Sequence, residues 1–300
     1  MRIGLIGAGA GAGAGAVGQS VGALLVVCGW CRELMVASGS QTSARGLVTD
    51  LEDMAEATGS PMRVTVTTPQ AMGACDAIVL SPRAPFTNRA RTNVRMAGLI
   101  ANGPLIVQLA RLLHGYTGVA VMVTNPVDVL ARTFAERSGC EQVVGIGTAT
   151  DTARYRLTLA RHLGVPVGAI RGHVIGEHGD GAVICASTTT VHGQPVTVPV
   201  QRMRDELAAR PRRNSEGIGR TRLGPAGAVL DALAHTLGIL DGLTEVSVRQ
   251  DARVWLGMPV HYTSGTPALR PPSLDYSETA QLAAATEKLH TAYARLTEEI

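Results

Sequence analysis

Four residues of this 300-residue chain have types and spacings suited to chemistry: Asn125, Asp151, Arg154 and His178. Asn125 closes an apolar, strand-like stretch in VTNPVDVL and is followed by Pro126. Asp151 and Arg154 lie three apart in GTATDTARYRLTLARHLGV, so they share one helix face. His178 stands between glycines and acids in IGEHGD. Asn, Asp, Arg and His at strand ends and helix starts are what reduction of a 2-oxo acid needs. Taken singly, each has a plainer reading. An isolated histidine is more often structural, and Asp and Arg at i, i+3 usually form a surface pair. The joint pattern outweighs these readings.

A second feature opens the chain. MRIGLIGAGAGAGAGAVGQSVGALL runs a short strand into repeated Gly-Ala pairs and then a helix. A dinucleotide-binding turn uses G-x-G-x-x-G between strand and helix, for the tight turn, the approach of a pyrophosphate and helix–strand packing. Only Gly13, Gly15 and Gly18, with Val17 inside the motif, satisfy it; from Gly7 the sixth position is Ala12. An NAD site places a carboxylate about 20 residues beyond the last glycine. Ser38 occupies that position, in ELMVASGSQTSARG. Ser38, Ser40, Thr42 and Ser43 could hydrogen-bond a 2′-phosphate, and Arg45 could add charge. NADP(H) is therefore the expected cofactor, with NAD the alternative.

Composition bounds the rest. With 45% hydrophobic and 17% charged residues, the chain can bury a sizeable core. A net charge of +3 suggests neither a nucleic-acid nor a membrane partner, and no apolar run approaches a membrane span. No metal site is expected. Lys288 is the one lysine among 27 basic residues, which reads as codon bias. Five scattered cysteines suit a reducing compartment. CGWC at 28–31 has redox spacing, but exchange would need an exposed thiol of lowered pKa. Arg2 and the apolar run after it mimic a signal peptide. Its core would be mostly Gly and Ala, so a cytoplasmic location is expected.

Elements that could position these residues follow in order. Strands are expected at 3–6, 33–38, 64–67, 76–81, 119–124 and 143–147, with helices around 18–28, 43–57, 92–113 and 126–137. This predicts an α/β, doubly wound parallel sheet of Rossmann type over 1–148. A mixed α+β substrate domain is expected over 149–300. It comprises a helix near 150–163, a hairpin in VICASTTTVHGQPVTVPV, a Pro/Arg-rich loop at 209–214, a helix over 223–241, strands after 247 and a last helix over 277–299.

The glycine turn, TNPVDVL, D-T-A-R-Y-R and IGEHGD together resemble the malate/lactate dehydrogenase family, over essentially the whole chain. The resemblance implies a nicotinamide-dependent 2-hydroxy acid dehydrogenase. His178 would be the proton donor to a ketone and the base for an alcohol. Asp151 would orient it. Arg154 would clamp the substrate carboxylate, which Lys could not do bidentately. Asn125 would lie near the nicotinamide and the reacting oxygen. The small 2-oxo or 2-hydroxy acid is the implied partner, and a homodimer or homotetramer the implied assembly. The 223–241 helix could line its interface or a core.

The sequence also departs from the family. Its substrate loop normally carries an arginine that polarises the carbonyl. Here the stretch is LSPRAPFTNRARTNVRMAGLIAN. Arg91 in R-T-N-V is the expected counterpart, with Arg95, seven residues before Asn102, as alternative. Arg83 replaces the family's glycine. Phe86 stands at the specificity position, with Arg89 close by, and Thr221 resembles a pocket-wall residue. Phe86 would suit an apolar or bulky acid, and Arg89 a second carboxylate. Gly7 and Gly18 are eleven apart instead of five, so six residues appear inserted. These departures leave open an altered substrate such as an imine, or a dinucleotide-binding protein without turnover.

Overall fold

The computed structural model describes residues 1–7, 15–90, 92–251 and 254–300. Gly13 and Arg91 lie outside the described residues. The first half alternates β1 (Arg2–Ile6), α1 (Ala16–Val27), β2 (Glu33–Ala37), α2 (Gln41–Thr58), β3 (Arg63–Val66), β4 (Ala77–Leu80), α3 (Leu99–Leu112), β5 (Val119–Met122), α4 (Val127–Ser138) and β6 (Val143–Gly145). These strands pair in parallel, as expected, and their order is β3-β2-β1-β4-β5-β6. Strands of such a sheet are covered on both faces, so β4 (AIVL) and β5 (VAVM) are buried at every position.

Alternate residues feed two cores. Ile78, Leu80, Ala120 and Met122 face one cluster, which holds Ile106 of α3 and Leu130 and Phe134 of α4. Ala77, Val79, Val119 and Val121 face the other, with Val21 and Leu25 of α1 and Leu47 and Leu51 of α2.

The second half runs α5 (Thr148–Leu163), β7 (Ile170–Arg171), β8 (Val174–Gly176), β9 (Ala182–Ile184), β10 (Thr190–Val191), β11 (Gln194–Pro195), α6 (Val200–Ile218), α7 (Leu223–Thr236), β12 (Gly242–Arg249), β13 (Trp255–Thr263), β14 (Thr266–Leu269) and α8 (Tyr276–Glu299). The expected division near 148 falls at the start of α5. Strand pairing continues across it: β12 runs antiparallel to β6, and β13, β8 and β9 extend the same sheet. Helices return too. Val229 and Leu233 of α7 join the α1 core, and Leu289 and Leu296 of α8 join the α3–α4 core.

Several expectations are corrected. Residues 209–214 are helical, inside α6, despite Pro211. Arg213 reaches back to Glu206 across the proline at 2.5 Å, and the Ser215 hydroxyl donates to the Pro211 carbonyl. The 183–200 hairpin shrinks to β10–β11, because β9 pairs with β8 instead. The helix expected over 223–241 stops at Thr236, and Gly238 turns the chain with φ 68°. The helix expected from 92 begins only with a 3₁₀ turn at Met96–Gly98.

Gly7 is the tightest constraint on the glycine turn. Its φ is 98°, and a Cβ there would lie 2.2 Å from the Pro82 nitrogen. Gly15, with φ 97°, caps α1. We predict that Gly7→Ala lowers stability by roughly 2–4 kcal/mol, from the left-handed backbone and the clash. Urea denaturation checks this, and a loss under about 0.5 kcal/mol would contradict it.

Candidate functional site

The first turn of α5 meets the end of β8. Asp151, buried in that turn, accepts a hydrogen bond from His178 Nδ1 on Oδ2 at 2.6 Å. Its Oδ1 accepts from Arg154 Nη1 at 3.3 Å and lies 3.6 Å from Arg95 Nη2. Three of the expected residues, Asp151, Arg154 and His178, thus converge, and Arg95 joins them. The close approach needs glycine: a Cβ on Gly147 would sit 2.5 Å from the His178 Cβ.

Charge and burial compete here. Burial pushes the Asp151 carboxyl up, but His178, Arg95 and Arg154 hold it well below the usual carboxylate range. Burial lowers the His178 pKa, Arg95 lowers it further, and Asp151 resists. The resting pair is therefore a carboxylate and a neutral imidazole protonated at Nδ1, with Nε2 left to exchange a proton.

Asn125 lies at the end of β5. Its carbonyl accepts from Asn102 Nδ2 at 2.8 Å, and its own Oδ1 is buried without a hydrogen-bond partner. The peptide to Pro126 is cis. Asn102 Oδ1 accepts from the Ala84 amide at 2.9 Å, tying the substrate loop to this strand end. Phe86 is half-buried where a Cβ on Gly98 would meet its ring at 2.9 Å, and the Arg83 guanidinium lies 4.4 Å from the ring centroid. Arg89 is exposed. Thr221 accepts from Asn214 Nδ2 at 3.0 Å, at the approach to α7. On the cofactor side, Val17 and Gly18 lie in the first turn of α1, and Ser38 is half-buried just past β2. Ser40 caps α2 by accepting from the Ser43 amide, and Arg45 is exposed, donating to Gln41.

Three supporting residues escape the sequence reading. Asp128, fully buried in α4, accepts the His178 backbone N–H on Oδ2 at 2.9 Å, and its Oδ1 is unpartnered. Glu177 is buried beside His178; it accepts from the Gly181 amide at 2.8 Å and pairs with Lys288 of α8 at 2.6 Å. Cβ atoms on Gly179 or Gly181 would each lie 2.5 Å from a Glu177 carboxylate oxygen, which explains the glycines around the motif. Lys288 also donates to Asn93, whose backbone N–H bonds Asp180 at 2.8 Å. The single lysine thus joins α8, the segment before His178 and the substrate loop. Asp128 and Glu177 sit inside TNPVDVL and IGEHGD, which was the available signal; Lys288 carries none locally.

The structure gives the thiol-exchange reading of CGWC no support: Cys31 is buried, and burial pushes its thiol up to about 12, with Cys28 adding to the shift.

Residues 1–147 match the lactate/malate dehydrogenase NAD-binding domain, and residues 148–210 match the α/β C-terminal domain of the same family. The chain is 32% identical to an L-lactate dehydrogenase of Staphylococcus saprophyticus over 185 residues, 60% of this chain and 57% of that one. It is 30% identical to the Mesoplasma florum L-lactate dehydrogenase over 200 residues, 65% and 60% of the two chains. The chain thus spans about 57–60% of the length of these relatives. In fold it superposes on the Cryptosporidium parvum malate dehydrogenase with a TM-score of 0.86 at 22% identity, over 99% of this chain and 100% of that one. Among the described residues, no helix is long and apolar enough to cross a membrane.

Asp128 supplies a test of the buried polar support. Burial raises its pKa from 3.8 to about 7, so the folded protein keeps a proton that the unfolded chain has lost. Its contribution is complete below the unfolded value and disappears as pH rises through the folded one. Asp128→Asn can still accept from His178. We expect it to gain stability over the parent as pH rises from about 4 to about 7, by about 2–4 kcal/mol at the top. Thermal melts across that range check this; parallel pH curves for the two proteins would contradict it.

Proposed function

The chain belongs to the lactate/malate dehydrogenase family; from the buried His178–Asp151 pair we propose that it moves a hydride between a nicotinamide dinucleotide and a 2-oxo or 2-hydroxy acid. The residues present fit such a cofactor. The turn after β1 stands where strand order reverses between β1 and β4, which is where open α/β sheets bind dinucleotides. Gly7 has no room for a side chain there, and the buried Asn125 Oδ1 is an acceptor without a donor. When bound, the nicotinamide supplies or accepts the hydride.

The chain's own groups do the rest. For reduction His178 first takes up a solvent proton at Nε2, becoming imidazolium, and gives that proton to the carbonyl oxygen; in oxidation the neutral Nε2 takes the proton of the hydroxyl. Asp151 keeps Nδ1 protonated and stabilises the imidazolium. Arg154 clamps the substrate carboxylate through its fork. Asn125 orients the nicotinamide side. Arg95 polarises the carbonyl, in preference to Arg91; its place 3.6 Å from Asp151 supports this.

The cofactor reading is NADPH over NADH. It is supported by Ser38 at the end of β2, with no carboxylate there, and by Arg45 nearby in sequence. Phe86, half-buried against Gly98 while Arg89 is exposed, supports an apolar side chain on the acid. Assembly as a homodimer or homotetramer, and a domain division near 148, belong to the same proposal.

Nicotinamide oxidation at 340 nm with pyruvate, phenylpyruvate and oxaloacetate tests it. We expect turnover with NADPH and phenylpyruvate favoured over oxaloacetate. NADPH binding without turnover of any 2-oxo acid would favour a non-catalytic binder, and a tenfold preference for NADH would overturn the cofactor reading. His178→Gln should lower kcat by about 10²–10⁴. Arg95→Ala should lower kcat/KM far more than Arg91→Ala, and the reverse would restore Arg91. Because His178 is held below its ordinary value, kcat/KM for oxidation should already be flat above about pH 7.

A further inference from the structure

We propose that the cleft between α5 and α6 is a second ligand site, for a small, multiply charged oxyanion of phosphate or polycarboxylate chemistry. The cleft has a volume of about 360 Å³ and lies away from the His178 pair, yet on the same helix. Asp151, Arg154, Thr158 and Arg161 follow one another at three- and four-residue steps along one face of α5. The first two belong to the site already described; the last two line the cleft. Across from them α6 presents Arg202, Glu206, Arg210 and Arg213.

The charges do not balance. Glu206 is the one carboxylate in the lining, and Arg213 already holds both its oxygens, at 2.5 and 3.3 Å. Among the described residues, no carboxylate lies within 4.0 Å of Arg161, Arg202 or Arg210. Three guanidinium groups therefore face one cleft without an acid at ion-pair distance; Glu206, already held by Arg213, acts on Arg210 and Arg161 only across a longer gap.

Two buried donors are left over in the same cleft. Arg210 Nη1 and Thr158 Oγ1 are both out of solvent and without hydrogen-bond partners. Thr158 is only 8% exposed. A buried donor without an acceptor is costly, and native proteins rarely leave one unpaired. An oxyanion between the helices supplies acceptors to both and cancels the like charge. Guanidinium forks match phosphate and carboxylate oxygens in pairs, which selects oxyanions over chloride. In keeping with this, Arg210 is pulled below its ordinary pKa by burial and then by Arg161 and Arg213.

Calorimetry and thermal melts, at constant ionic strength balanced with chloride, test the site with inorganic phosphate, pyrophosphate and citrate. We expect saturable binding of a multivalent oxyanion and a matching rise in Tm. Pyrophosphate binding more tightly than citrate would assign phosphate chemistry, and the reverse order polycarboxylate chemistry. Arg210→Gln should weaken binding at least about tenfold. It should also melt no lower than the parent in anion-free buffer, since it removes a like charge. Arg202→Gln, on the exposed rim, should weaken binding less. Arg154→Gln should leave binding intact, which separates the cleft from the substrate carboxylate site. No saturable response beyond chloride would overturn the proposal. So would a response lost in Arg154→Gln and kept in Arg210→Gln.

Discussion

The buried carboxylate of Asp151 is the interaction on which this molecule is organised. A charge so far from water survives only if its surroundings replace hydration. Here the replacement is an imidazole, Arg154 and Arg95, drawn from β8, α5 and the substrate loop. The imidazole supplies a hydrogen bond and the two guanidinium groups supply opposite charge. The same demand that stabilises the ion therefore brings the chemical groups together. The orientation of His178 follows from it: Nδ1 is committed to Asp151, its backbone N–H to Asp128, and only Nε2 is left.

The fold meets that demand by closing the sheet across its two halves. α5 follows β6, and β8 reaches the same place through β12 and β13. Small residues set the closeness. Gly147 lets His178 approach α5, and Gly257 leaves room for Thr148, whose side chain a Cβ there would meet at 2.1 Å. The loop arrives by two ties, Asn102 to the end of β5 and Asn93 to Lys288 and Asp180. Both place Arg95 by fixing the segment around it.

Much of this is legible in the residues themselves. β4 and β5 read as strands because continuous burial demands continuous apolar residues. Asp151 and Arg154 read as a pair because three residues make nearly one helical turn. What is not legible depends on contacts between distant segments. Asp128 looks like any acid at a helix start, and only packing shows that it is buried. Lys288 lies far along the chain from Glu177, so nothing local marks it. Arg95, just before the 3₁₀ turn at Met96–Gly98, lies 3.6 Å from Asp151, a contact between distant segments that no local motif marks. At 209–214 a proline among arginines has the composition of a loop, yet the segment is helical, with Arg213 paired to Glu206 across the proline.

The central claim is that an ionised Asp151 fixes the tautomer of a neutral His178. Long-range ¹H–¹⁵N spectra of histidine-labelled protein at pH 7 read that directly, with Asp151→Asn to assign the signal. The account predicts a His178 imidazole protonated at Nδ1 alone, with a downfield Nδ1 proton that disappears in the variant. An Nε2-protonated tautomer, or an imidazolium persisting above pH 7, would contradict it.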